Sequence, residues 1–508
     1  MTSRMLVGQH VEHNARRFAR KIALRVAHGA EWTYAELNGF ANRAARALRA
    51  AGIGHGDKVA LLCDSRLEWV GLYVGIVKLG AVAVPVNYRL TPAEIAANLV
   101  DADVGLLLAL EALAAPVRAQ LPQLRCVVID GTHAEGLTAF LAGHAPSDIA
   151  SDVKASDANV ILFTGGTTGR SKGVVLSHEN LFWNSLDEII DTHMHEGDNT
   201  LLATPLHHSA ALNCWLLPHL YLGATATLLP KYSAEAMLRA IDAHRVTNAF
   251  SPPSMAREVY LHPLAREVDL SSFRRWYIGG GVLADQDRDA IHALIPGLRI
   301  YYQYGLTEAG PIVTVLKEED VQRGAGSIGR AFINFEVKIL TGDLSDAKPG
   351  EEGEIAVRGP AVMAGYYRQP EATRAVFHAG WLRTGDSGVM DAEGFVYFRD
   401  RLKDMVKTGG LNVYSQEVEH VLAQHPAVRE VGIIGMPSDK WGEEVTAIVA
   451  LRPDRSVEAE ELIAYARTRL AGYKVPKRVL FIPYEEMPIN FSGKVMKREL
   501  RARFLPQA

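Results

Sequence analysis

The sequence predicts an α/β protein: a large N-terminal domain of parallel α/β sheets, a β-barrel-like subdomain, and a small α+β domain at the C-terminus. Three observations carry that expectation. Through the first half of the chain, short apolar runs alternate with segments of helical period, the pattern of a parallel sheet covered by helices. From Gly324 to Gly359 the pattern changes to short alternating pieces, such as Phe335–Ile339 and Gly353–Arg358, separated by Gly, Pro and Asp. That reads as antiparallel β structure. Finally, the stretch after Asp404 holds its own hairpin, strands and helices, enough for an autonomous unit of roughly 100 residues.

The elements follow in order. Thr33 and Glu36 have capping-box spacing and open a helix whose apolar face is Leu37, Ala41, Ala44 and Leu48. Gly52 to Gly56 ends it, and Lys58–Cys63 reads as a buried strand. A helix over Leu67–Leu79 and a strand over Ala81–Val86 continue the alternation, and Thr91 to Glu94 caps a further helix. Val104–Leu110 and Cys126–Ile129 are further strands. Nothing in this stretch carries chemistry, and its expected role is scaffold. Ala224–Leu229 is strand-like, Ser233 starts a helix to His244, and a helix begins at Glu371. Beyond Tyr397–Asp404, the expected junction, come a hairpin turning at Gly409-Gly410, a helix over Gln416–Gln424, strands at Val428–Ile434 and Val445–Leu451, and a helix over Glu458–Leu470. The expected division is residues 1–400, a hinge at 401–403, and residues 404–508.

Bulk properties exclude several classes. The chain has 508 residues and a formal net charge of −4, with no global basic field for nucleic acid. Cys63, Cys126 and Cys214 are too few and too scattered for a disulfide or zinc framework, which fits a reduced, cytoplasmic setting. The N-terminus lacks the apolar core of a signal peptide, and no apolar run reaches membrane-spanning length. Peripheral membrane contact and a homodimer are both left open.

Chemistry concentrates in a few places. Val160–Phe163 is a buried strand that breaks into Thr164-Gly-Gly-Thr-Thr-Gly-Arg-Ser-Lys-Gly173. Glycines let backbone N–H groups approach a ligand, and the hydroxyls and Lys172 add donors and charge, so the expected guest is phosphate. It is not a Walker A loop. Two residues separate Gly169 from Lys172, and glycine rather than Ser or Thr follows the lysine. The adjacent His207 and His208 lack a third ligand at zinc spacing. Ile300–Gly310 is a strand with aromatics, then a glycine break, then Thr307 and Glu308. Ligands gather at that end of a parallel sheet. Tyr304 suits stacking on a base, Thr307 a phosphate, and Glu308 a Mg²⁺ ion that takes few carboxylates plus substrate phosphates. Asp386, after a Thr-Gly turn, ordinarily bonds its own backbone.

These stretches resemble, in order, the signatures of the adenylate-forming superfamily: acyl-CoA synthetases, nonribosomal adenylation domains and beetle luciferases. The carriers are Thr164–Gly173, Trp276–Gly281, Tyr304-Gly-Leu-Thr-Glu308, Gly380–Asp386, Asp400-Arg-Leu-Lys403 and Asn490-Phe-Ser-Gly-Lys494. The resemblance covers nearly the whole chain. It implies that Thr164, Gly165, Gly166, Thr167, Thr168, Gly169 and Lys172 clamp the ATP phosphates. It implies that Gly279, Gly280, Gly281, Tyr304, Gly305 and Thr307 hold the nucleotide, with Thr164 and Glu308 at the metal. Asp386 would bind both ribose hydroxyls, a job for a two-oxygen acceptor, and Arg401 would contact ribose and phosphate. Lys494 would be the adenylation lysine, neutralising charge as pyrophosphate leaves, and a mobile C-terminal domain pivoting at Lys403 would deliver it. His208 would close the acid pocket, with Ala210, Ala211 and Asn213 near its wall; two alanines leave room for a bulky or long acyl group. Gly409, Gly410 and Trp441 would meet CoA, and Lys474 and Lys477 its phosphates.

The implied activity is an AMP-forming acid:CoA ligase using ATP, Mg²⁺ and CoA on a small carboxylic acid. Both fatty acyl-CoA synthetases and hydroxycinnamate-type CoA ligases share the His207–Asn213 and Asp400–Asp404 patterns. An adenylating enzyme that loads a carrier protein is an alternative. A non-catalytic nucleotide-binding relative is expected to lose Glu308 or Lys494, and both are present.

Overall fold

The computed structural model describes residues 5–130, 136–164, 171–281, 283–409, 411–489 and 495–505. The chain forms two compact units. One comprises residues 1–325, 329–336 and 357–382, and the other residues 326–328, 337–356 and 383–508.

The first unit holds two large sheets. One has seven strands, in the order Gly365–Tyr366, Lys172–Ser177, Ala158–Thr164, Val82–Pro85, Lys58–Leu62, Val104–Ala109 and Arg125–Val128. Its last five strands pair in parallel, as strand–helix–strand alternation demands. Lys172–Ser177 instead returns antiparallel on Ala158–Thr164, in a register that sets Thr164 opposite Lys172. The strand–loop–strand stretch is therefore a β-hairpin appended to a parallel sheet.

The second sheet has nine strands. Its centre is parallel: Arg299–Gly305, Arg275–Gly279, Asn248–Ser251, Asn199–Leu202, Thr225–Leu228 and Ile22–Val26. Antiparallel strands Ile312–Leu316 and Glu31–Thr33 flank it. Trp276, Ile278 and Ile300 are buried against Met237, Leu238 and Ile241 of the helix Ala234–His244. Capping boxes at Thr33–Glu36 and Thr91–Glu94 start two helices where the sequence places them, and another at Ser177–Asn180 starts the helix His178–Thr192.

In the second unit, Trp381–Met390 pairs antiparallel with Val396–Arg401 and neighbours Glu352–Arg358. A separate five-stranded sheet joins Leu411–Val413, Val406–Thr408, Gly442–Leu451, Val428–Ser438 and Arg478–Phe481. The hairpin over Gly409 forms as expected, Val406 facing Val413 and Thr408 facing Leu411. Helices Ser415–Ala423 and Ala459–Arg467 cover this sheet through Val418, Leu422, Leu462 and Ala466.

Two local features stand out. The segment after His208 is a π-helix over Ala210–Leu216 that runs into the α-helix Leu217–Leu222. Pro218 follows at the start of that α-helix and has no N–H to donate to the preceding turn. Asp386 lies not after a free turn but inside the strand Trp381–Met390, where Gly385 takes φ 74° and the register shifts at Ser387–Gly388. The irregularity makes room for the aspartate without ending the strand.

Candidate active site

The hairpin and the strand Arg299–Gly305 bring distant residues together. Thr164 ends its strand, and its hydroxyl lies 3.5 Å from Glu308 Oε1 across 144 residues of sequence. Glu308 follows the strand end at Gly305, on the 3₁₀ turn Thr307–Ala309. A side chain at Gly305 is impossible, since a Cβ there would sit 1.8 Å from the Pro311 carbonyl oxygen. The expected hydroxyl–carboxylate pair is thus formed.

Sequence reasoning missed Tyr366. Its hydroxyl donates to Glu308 Oε1 at 2.9 Å, and its ring lies 4.8 Å beneath the Lys172 ammonium. Burial pushes the phenol up, and the adjacent carboxylate pushes it further, so it remains a donor. The only sequence signal was the aromatic pair Tyr366-Tyr367 after a glycine. Lys172, Tyr366, Glu308 and Thr164 therefore form one cluster, with the cation over the phenol ring and the carboxylate at its hydroxyl. Gly165, Gly166, Thr167, Thr168 and Gly169 lie outside the described residues, as do Gly410 and Lys494.

Thr307 links this cluster to the expected acid pocket. Its hydroxyl shares a 2.9 Å hydrogen bond with Ser209, the residue immediately before the π-helix. Ser209 is a second residue that sequence patterns did not single out. The His207 and His208 rings are tilted at 57° with centroids 4.1 Å apart, and His207 meets Tyr88 edge-on. Burial drives both imidazoles down, His207 to about 3, with Arg89 adding repulsion. Both are neutral at physiological pH. Ala211 and Asn213 are fully buried, whereas Ala210 keeps some exposure. Gly279 closes the strand Arg275–Gly279; a Cβ there would press on the Phe250 ring at 2.9 Å and the Gln303 carbonyl at 3.1 Å. Phe250 stacks on Trp215 of the π-helix at 4.2 Å. Among the described residues, no group of three His, Cys, Asp or Glu is placed to hold a metal ion.

The second unit carries the remaining expected residues. Asp386 and Arg401 face each other across paired strands, with Arg401 Nε 3.6 Å from Asp386 Oδ1. Asp386 is buried, while Arg401 is half exposed. Burial lowers the Lys403 ammonium, and Arg401 lowers it further. Gly409 and Trp441 meet directly: the Gly409 N–H donates to the Trp441 carbonyl at 2.8 Å. Trp441 is exposed and stays available for stacking. Lys474 is paired with a carboxylate: its ammonium binds both Glu417 oxygens, at 2.6 and 2.7 Å. Lys477 donates to the Gly472 carbonyl at 3.1 Å.

Within the first unit Thr164 and Tyr366 both meet Glu308 Oε1, and within the second Asp386 lies beside Arg401. Sequence comparison decides the family. The AMP-binding enzyme pattern matches residues 11–367, and the AMP-binding enzyme C-terminal domain matches residues 417–494. The chain belongs to the AMP-binding enzyme family. Its enzyme class is the AMP-forming acyl-CoA synthetase of the adenylate-forming superfamily. It is 38% identical to a feruloyl-CoA synthase of Amycolatopsis sp over 95% of this chain and 96% of that one. It is 37% identical to a long-chain-fatty-acid–CoA ligase of Mycobacterium tuberculosis over 93% of each chain. Among solved structures, the ATP-bound RpMatB–BxBclM chimera B1 aligns with TM-score 0.90 and 30% identity, over 98% of this chain and 99% of that one.

Proposed function

We propose that this enzyme activates a fatty (medium- or long-chain) or aryl carboxylic acid with ATP and passes the acyl group to CoA in the cytoplasm. The observation that carries the reading is the continuous path from Lys172, Tyr366, Glu308 and Thr164 through Thr307 and Ser209 to the π-helix. It links a phosphate-side cluster to an acid-side wall through side chains of one unit.

In the first half-reaction, a carboxylate oxygen of the acid bonds to the α-phosphorus of ATP and pyrophosphate leaves with the electron pair of the broken P–O bond. Positioning and charge neutralisation carry such a displacement. Lys172 and the Thr164–Gly169 loop hold the departing phosphates, and Lys494 neutralises charge between carboxylate and α-phosphate. Asp386 and Arg401 fix the ribose. Gly279 to Gly281, Tyr304 and Gly305 hold the base. Neutral His208 packs against the acid without drawing its charge into an ion pair. In the second half-reaction the CoA sulfur attacks the acyl carbon and AMP leaves. The proposed pivot is Lys403, bringing Gly409, Gly410 and Trp441 to CoA.

The donor set fits Mg²⁺. Thr164 and Glu308 supply one hydroxyl and one carboxylate, the sparse protein share that a hard cation accepts when phosphate oxygens complete its shell. When bound, the ion would neutralise phosphate charge. Among the described residues no helix is long and apolar enough to cross a membrane.

The test is CoA consumption with ATP against a panel of short- to long-chain fatty acids, benzoates and cinnamates. Turnover of one class with CoA loss is expected. ATP–pyrophosphate exchange without CoA loss would favour loading of a carrier protein. Lys494→Ala should abolish the exchange yet spare thioester formation from preformed acyl-adenylate; equal loss of both steps contradicts the assigned role.

A further inference from the structure

Behind the acid-side wall lies a buried polar cluster that the two half-reactions do not use. The helix His178–Thr192 turns Asn184 and Glu188, one helical turn apart, toward the π-helix Ala210–Leu216. Both side chains are fully buried. The Asn184 amide donates to the Asn213 carbonyl at 2.9 Å. In i→i+5 winding, that carbonyl is the one left without a donor, because its partner would be Pro218. The Asn213 amide reaches on to the Gly310 carbonyl at 3.4 Å.

Glu188 works beside it. One carboxyl oxygen accepts from the Gln303 amide at 2.8 Å, across 115 residues. Gln303 directly precedes Tyr304 on the strand Arg299–Gly305. The Cys214 thiol of the π-helix also lies against the carboxyl group, whose Oε1 has no hydrogen-bond partner among the described residues. Glu188 thus bridges the two walls that the acid and the nucleotide base would contact. Its charged helix neighbours, Asp187 and Asp191, carry its own sign.

We propose that Glu188 is a positioning residue for the acid pocket: through Gln303 and Cys214 it fixes the spacing between the π-helical wall and the strand that ends at Tyr304. It acts as a neutral carboxylic acid that accepts from the Gln303 amide. The inference rests on the proposed acid-activating function and adds a residue that sets which acids fit.

The neutral state gives a handle. Burial pushes the Glu188 carboxyl up to about 8. The facing groups are Asp187 and Asp191 on its own helix, Cys214 on the π-helix and Tyr277 on the strand Arg275–Gly279. Burial pushes Cys214 and Tyr277 well upward, so both stay neutral. Asp187 is raised to about 7 by burial, and Asp187→Asn separates its titration from that of Glu188.

The experiment is ATP–pyrophosphate exchange over a panel of acids, which leaves the CoA thiol out of the pH profile. Glu188→Met should raise KM for the acid about tenfold and reorder the preferred acids, with KM for ATP unchanged. Glu188→Met/Gln303→Met, which leaves neither partner stranded, should recover part of that loss. Glu188→Gln should keep the wild-type ranking but lose the rise in KM that the wild type shows as pH passes about 8. Should Glu188→Met fail to fold, the Glu188→Gln pH profile decides alone. An unchanged acid ranking and an unchanged pH profile overturn the inference, as does a uniform loss in kcat for every acid. A wild type that exchanges pyrophosphate with no acid overturns the proposed function instead.

Discussion

Glu188 in the first unit and Glu419 in the second are both withdrawn from water, and they meet the cost of burial differently. Glu188 has a neutral amide and a thiol around it, and burial pushes its carboxyl up to about 8. Glu419 keeps a charged partner: Lys497 lies 2.9 Å away, and the Ile433 N–H donates to the same carboxyl oxygen at 2.7 Å. Burial pushes the Glu419 carboxyl up, and Lys497 pulls it back. Lys497 also donates to Ser415, whose hydroxyl and N–H both donate to buried Asp400. The difference separates two uses of a buried acid. A protonated one joins walls through hydrogen bonds and is sensitive to pH. A paired one anchors a helix, here Lys497–Phe504, and is sensitive to loss of its partner.

The contrast is broken most severely from the Lys497 side. Lys497→Met leaves Glu419 and the Ser415–Asp400 network without their cation and should cost about 2–4 kcal/mol in chemical denaturation. Adding Glu419→Leu should return more than half of that. If the double variant is no better than the single, the pair is not what anchors the helix. On the Glu188 side a milder effect is expected, about 1 kcal/mol or less for Glu188→Gln. The pH dependence is the sharper readout. The folded carboxyl holds its proton to about 8 against an ordinary 4.5, so between those values the folded state binds more protons than the unfolded one. Stability therefore falls as pH rises through that window. Glu188→Gln should flatten the fall in Tm, and an identical slope in both proteins would contradict a neutral Glu188. The smallest effect belongs to Glu417, two residues from Glu419 on the same helix but paired with Lys474 near the surface. Lys474→Met should cost below about 1 kcal/mol and leave KM for CoA unchanged; a large rise in that KM would restore Lys474 as a phosphate contact.

Much of the site was legible because its chemistry is local. A glycine-rich stretch after an apolar strand, a Tyr-Gly-x-Thr-Glu run and an Asp-Arg-Leu-Lys junction each carry their meaning within ten residues. Thr164 lies beside Glu308, and Asp386 beside Arg401. Tyr366 was not legible, because a tyrosine pair says nothing about which carboxylate it will reach. Ser209 and Gln303 were equally silent: their partners lie 98 and 115 residues away. The π-helix left one trace, Pro218 within a continuous apolar run, which marks a missing donor without saying how the backbone accommodates it.

The sequence alone determined the α/β architecture, the order of the nucleotide-binding motifs and the adenylate-forming chemistry they imply. Periodicity, capping and turn residues act between near neighbours, so they survive being read one segment at a time. Only the tertiary structure decided that Tyr366 joins Lys172 to Glu308, that Lys474 pairs with Glu417, and that a buried Glu188 meets Gln303 beside the π-helix. Those outcomes depend on sheet register and on which faces are excluded from water. Both are set by the packing of the whole unit rather than by any one stretch of it.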